Sequence, residues 1–100
     1  MEERLNHENV EVIKRCEELK DLLNRGELTE LNILPSFPVQ DAFTKNGVYY
    51  PALCYIPCFS YVDKQGRKFV EDSITKSEDR RILRTLFEYT YMNLSVKDIL

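Results

Sequence analysis

A chain of 100 residues, 43% apolar and 31% charged, is sized for one domain over residues 1–100 with a modest core. No apolar run approaches about 18 residues, so no membrane-spanning helix is expected. The start, Met1-Glu2-Glu3-Arg4, has no apolar run behind it and does not read as a secretory signal. The net charge is −3, and residues 1–50 carry six Lys/Arg against ten Asp/Glu. That balance argues against tight, sequence-independent binding of nucleic acid, which relies on neutralising phosphates.

The first expected element is a helix from about Asn9 to Arg25. Val12, Cys16, Leu19 and Leu23 form its apolar stripe, and Gly26 stops it. A strand follows over Leu28–Leu34, with Leu31 and Ile33 on one face, before Pro35 and Pro38 break the chain. Asn46-Gly47 sits between Phe43-Thr44-Lys45 and Val48-Tyr49-Tyr50, a strong signal for a two-residue hairpin. The aromatic run from Val48 to Val62 is expected at the centre of the sheet. Asp63-Lys64-Gln65-Gly66 turns the chain into a strand over Arg67–Ser73. Thr75 with Glu78 offers a capping box. A helix then runs to about Met92, with Ile82, Leu83, Leu86, Phe87 and Tyr89 inward, and a strand over Leu94–Ile99 closes the chain. The expected class is α+β, in the order αβββαβ, with one mixed sheet and helices packed on it.

Three cysteines without framework spacing fit reduced thiols in a cytosol. On one strand Cys54 and Cys58 would stand roughly 13 Å apart, too far to share a zinc ion or a disulfide. His7 reads as a solvated residue rather than a ligand.

Several segments resemble a group of small phage-encoded proteins of the PD-(D/E)xK nuclease fold, distantly similar to Holliday-junction resolvases. They are Arg15-Cys16-Glu17-Glu18-Leu19-Lys20, Gly26-Glu27-Leu28, Leu34-Pro35-Ser36-Phe37 and Lys45-Asn46-Gly47. They continue with Tyr55-Ile56-Pro57-Cys58-Phe59-Ser60-Tyr61-Val62-Asp63-Lys64, Val70-Glu71-Asp72 and Arg81-Ile82-Leu83-Arg84-Thr85-Leu86-Phe87-Glu88-Tyr89. The resemblance implies a restriction-endonuclease-like core. In that family a helix acid, a strand acid, and an acid with a lysine two residues on build the catalytic site. Here the helix acid falls at Val12, the strand acid at Cys58 and the lysine at Ile74; the next acid is kept as Asp72. The family's paired basic residues on the second helix are kept as Arg81 and Arg84.

Such nucleases use carboxylates to hold Mg²⁺, which activates water and neutralises the scissile phosphate. A thiol, a valine and an isoleucine supply none of this. All three bury readily, so the resemblance implies that the cleft has become a dry extension of the core. The expected protein is a nuclease-derived binding protein without catalytic residues or cofactor. It would act in the cytoplasm of a bacterial host, away from membranes, as an inhibitor or modulator of a nucleic-acid-acting enzyme or defence protein. A homodimer is also compatible.

Two alternatives stay open. One is a metal-dependent DNA endonuclease or resolvase whose rearranged site binds Mg²⁺ through Asp72, Glu71 and Glu11, with Glu8, Lys68 or Lys76 nearby. Strand parity weakens it, because Glu71 and Asp72 face opposite ways. The other is a DNA-binding accessory protein using Lys76, Arg80, Arg81 and Arg84, although Glu78 and Asp79 dilute that patch. The six tyrosines read first as packing residues.

Overall fold

The computed structural model describes residues 10–74 and 77–99. Helix α1 spans Val10–Asn24, and strands β1 to β7 span Leu28–Ile33, Phe37–Gln40, Phe43–Lys45, Val48–Tyr50, Leu53–Tyr55, Phe59–Asp63 and Lys68–Ser73. Helix α2, Glu78–Thr90, and strand β8, Val96–Ile99, follow. The fold is α+β. A four-stranded mixed sheet has the order β1-β6-β7-β8, antiparallel except for the parallel pair β7–β8. Without the small ribbons, the chain order α1-β1-β6-β7-α2-β8 is the αβββαβ arrangement expected from the sequence.

Helix α1 forms because Val12, Cys16 and Leu19 recur at helical spacing. Val12 and Leu19 are buried, and they pack with Leu28, Cys58, Phe59 and Tyr61. Leu22 joins this cluster, while Leu23 stays largely exposed. The helix ends in a Schellman motif. The Gly26 N–H donates to the Leu23 carbonyl at 3.1 Å and the Glu27 N–H to that of Leu22 at 2.9 Å. Gly26 takes φ +75°, which an L side chain rarely adopts.

A second cluster holds α2 to the other side of the sheet. Phe37, Tyr55, Val70 and Phe87 are buried together, with Leu83, Tyr91 and Val96 packed against them. Phe87 meets the Phe37 ring edge-on at 5.0 Å between centroids. Truncating a residue as fully enclosed as Phe87 or Leu19 to alanine typically costs about 2–5 kcal/mol.

Several details differ from the sequence reading. The run from Val48 to Val62 is not one central strand. It divides into β4, β5 and β6, and only β6 lies in the main sheet. β5 pairs with β2, and β4 with β3, as separate two-stranded ribbons. Pro38 lies inside β2 rather than outside any strand. Among the described residues that ribbon has no further neighbour needing its missing N–H, so an edge proline is tolerated. Leu31 and Ile33 do not share one fate. The register of β1 shifts between Thr29 and Asn32, and Glu30 takes φ +53°. Leu31 packs under α1, whereas Ile33 is exposed. Ile82 and Tyr89 point outward at 50% and 78% exposure, so the buried face of α2 is narrower than expected. Ser77 caps α2 by accepting from the Arg80 N–H at 3.4 Å. The expected cap, Thr75, lies outside the described residues.

The turns are as expected. Asn46 and Gly47 take φ +51° and +77°, as a two-residue hairpin turn requires. The Asp63 carboxylate accepts from the Gln65 and Arg67 N–H groups, both at 2.9 Å, and closes the β6–β7 turn. Among the described residues, no helix is long and apolar enough to cross a membrane.

Candidate functional site

β7 carries two adjacent acids in a buried stretch. Glu71 is 3% and Asp72 2% exposed. Successive strand residues face opposite sides, so Glu71 points under α1 and Asp72 toward the α2 side. A buried carboxylate must find donors, and each of these finds its own set.

Arg15 reaches down from α1 to Glu71. Its Nε and Nη2 each donate to one carboxylate oxygen at 2.8 Å, a two-pronged pair. The Tyr61 hydroxyl, from β6, donates to Glu71 Oε2. Arg15 Nη1 also donates to Glu18 at 3.0 Å, which ties the guanidinium to its own helix. Burial pushes the Glu71 carboxyl up. The Arg15 guanidinium, the Tyr61 hydroxyl and the charge of Lys97 outweigh it and hold the group below its usual range. Burial and the Glu71 hydrogen bond push the Tyr61 phenol up to about 12.

These directions set a pH profile. The lowered Glu71 contributes stability that is fully present above its usual value near 4.5 and is lost as pH falls below it. The raised Tyr61 contributes stability that is fully present below its usual value near 10 and is lost as pH climbs to about 12. Urea unfolding across pH should therefore show a plateau with a fall at each end. In Tyr61→Phe the alkaline fall between about 10 and 12 should be smaller, because that phenol no longer titrates.

Asp72 is enclosed from the other side. The Tyr55 hydroxyl donates to Oδ2 at 2.5 Å. Oδ1 lies 3.4 Å from the Cys58 thiol and accepts the Ser73 N–H at 2.8 Å. Arg80 Nη2 forms a looser ion pair with Oδ1 at 3.8 Å. Among the described residues this nitrogen is buried without a hydrogen bond. Cys58 is fully buried just before β6, so the position matched by resemblance to a strand acid does touch Asp72.

The positions matched by resemblance only partly converge. Val12 and Cys58 are buried in the α1 cluster, and Cys58 contacts Asp72. Ile74 corrects the expectation of a dry pocket: it is 63% exposed, just past the end of β7, beside Arg81, Arg84 and Thr85 of α2. The chain has left the sheet there, so strand burial no longer applies.

The alternative ligand set does not assemble. Glu11 and Glu71 line a groove of about 430 Å³ between α1 and β8, together with Lys14, Arg15 and Lys97. Asp72 is on the opposite face. Among the described residues no group of three or more His, Cys, Asp or Glu side chains is placed to hold a metal ion. Glu8 and Lys76 lie outside the described residues, as does His7. Cys54 sits on β5 and Cys58 in the connection just before β6, and both are free thiols, as is Cys16.

The basic residues of α2 are largely paired within the chain. Arg81 donates to Glu78 at 2.7 Å. Arg84 donates to Asp98 at 2.7 Å and to the Val96 carbonyl at 3.2 Å, tying α2 to β8. Arg80 faces Asp72.

Sequence reading missed Arg15 and Tyr61 as partners of Glu71, and Tyr55 as the partner of Asp72. The available signal was the pair of adjacent acids in an otherwise apolar strand, which must be satisfied on both faces. A family model described as "Protein of unknown function (DUF1064)" matches residues 6–100, and the chain belongs to that family. No curated protein and no solved structure matches it.

Proposed function

We propose that this DUF1064 chain is a catalytically inactive binding protein on a PD-(D/E)xK nuclease scaffold, of phage or prophage origin. Its target is a host or phage protein that acts on nucleic acid, which it inhibits or modulates in the bacterial cytoplasm. One observation carries the reading. The retained acid Asp72 is buried, and its oxygens are occupied by Tyr55, Cys58, the Ser73 N–H and Arg80. A hard divalent cation needs several open oxygen ligands, and this carboxylate does not offer them.

The α1-β1-β6-β7-α2-β8 order agrees with the scaffold that the resemblance implies. The position of the family's lysine carries Ile74, which has no charge to support an attacking water. A protein target suits this surface better than DNA. The chain is acidic, and Arg81 and Arg84 are held by Glu78 and Asp98. Neutralising phosphates would first require breaking those pairs.

Cleavage and binding of duplex, single-stranded and branched DNA test the proposal together. No cleavage is expected with Mg²⁺ or Mn²⁺, and duplex affinity should be about 10⁻⁵ M or weaker near physiological salt. Affinity capture from a bacterial lysate should recover a nucleic-acid-acting protein whose activity the purified chain alters. Cleavage abolished by Asp72→Asn would establish an enzyme instead. Sub-micromolar DNA affinity lost in Arg81→Ala plus Arg84→Ala would establish a DNA-binding accessory.

A further inference from the structure

The β3–β4 hairpin contributes no residue to either core cluster. It nevertheless exposes Phe43, Val48, Tyr49 and Tyr50, with Phe43 and Tyr50 stacked at 4.8 Å. A two-stranded ribbon alone is marginal in water. Among the described residues, β3 has β4 on one side and no strand on the other. We propose that this free edge of β3 pairs antiparallel with β3 of a second copy, centred on Phe43, to form a homodimer. The proposal stands whether or not the chain is catalytic.

The register follows from the hairpin. β3 and β4 pair as Lys45↔Val48, Thr44↔Tyr49 and Phe43↔Tyr50 around the two-residue turn. In such a hairpin the residues flanking the turn exchange both backbone hydrogen bonds, and the pattern then alternates. Lys45 and Phe43 therefore turn their N–H and C=O groups toward β4. Thr44 turns its groups outward, and Ala42, the residue just before β3, would present the next outward pair once self-pairing extends the strand by that residue. Antiparallel self-pairing about Phe43 sets Thr44 of one copy opposite Ala42 of the other, where both pairs of outward groups are satisfied. The two Phe43 residues then meet as a close, non-hydrogen-bonded pair. They join the two Phe43–Tyr50 stacks into one aromatic row.

Charge selects the occupant. Lys45 stands two residues after Phe43 on its face of β3, and Asp41 stands two residues before it, where a strand extended by the self-pairing would set it on that same face. In this register Asp41 of each copy faces Lys45 of the other. Neither residue has an ion pair among the described residues, and both are exposed. The segment from Gln40 to Leu53 is electrically neutral, so two chains of net charge −3 can approach here with little repulsion. That neutrality also leaves nothing for a phosphate backbone to bind. The outer edge of β4 is the poorer candidate, because Pro51 follows it directly and has no N–H to donate.

Sedimentation equilibrium of the full chain from about 1 µM to 1 mM tests this. A weak, reversible dimer is expected, with a dissociation constant on the order of tens of micromolar for so small a contact. Asp41→Lys alone and Lys45→Asp alone should each weaken it about tenfold or more, because both cross-copy pairs become repulsive. An equimolar mixture of the two variants should restore association, since every facing pair is again opposite in sign. Circular dichroism should show both variants folded, as these side chains are exposed. A monomer throughout the range, a dimer indifferent to both variants, or a mixture that fails to recover would each overturn the proposal. So would a monomeric wild type from which Asp41→Lys releases a different protein captured from lysate.

Discussion

Arg15→Met is expected to lower the free energy of unfolding by about 3 kcal/mol at neutral pH. The substitution keeps the apolar stem but leaves the Glu71 carboxylate, 3% exposed, with the Tyr61 hydroxyl as its remaining side-chain donor among the described residues. An uncompensated buried charge is the expensive outcome; the net worth of the ion pair itself is much smaller. The loss should shrink as pH falls toward 4, where the stranded carboxyl takes up a proton instead. Adding Glu71→Leu to Arg15→Met should recover most of the stability, to within about 1 kcal/mol of the parent. Urea unfolding of the three variants reads all of this. An Arg15→Met protein as stable as the parent at pH 7 would mean that the buried pair is unimportant.

Asp72→Ala is expected to destabilise by about 2–4 kcal/mol, because it strands a tyrosine hydroxyl, a backbone N–H and an arginine around an empty site. A domain of this size would lose roughly 10–20 °C in melting temperature. The sign separates the two meanings of this acid. Carboxylates kept for metal chemistry are often strained, and their removal tends to be neutral or stabilising. A carboxylate serving as a structural acceptor destabilises on removal. Tyr55→Phe should cost less, about 1 kcal/mol, since only one donor to Asp72 is lost. An Asp72→Ala protein that melts higher than the parent would contradict the structural role.

What could be read from the sequence was what depends on neighbouring residues. Gly26, Asn46-Gly47 and Asp63–Gly66 act through local backbone chemistry, and each lies where expected. The opposed faces of Glu71 and Asp72 follow from strand parity and are likewise found. What could not be read depends on register and on where an element ends. Tyr61 lies opposite Phe69, so its hydroxyl reaches Glu71 diagonally, a relation set by the β6–β7 alignment. Tyr55 meets Asp72 because β5 leaves the main sheet to pair with β2. Ile74 is exposed because β7 ends at Ser73. The bulge in β1 undid the simple alternation that placed Leu31 and Ile33 together.

The central claim is that both buried carboxylates of β7 serve the fold and neither serves a metal. Calorimetric titration of the intact chain with Mn²⁺ at neutral pH tests it most directly, because Mn²⁺ takes the same oxygen ligands as Mg²⁺. The expected result is no saturable heat up to millimolar metal. A saturable single-site isotherm in the micromolar range, absent from a folded Asp72→Asn variant, would contradict it.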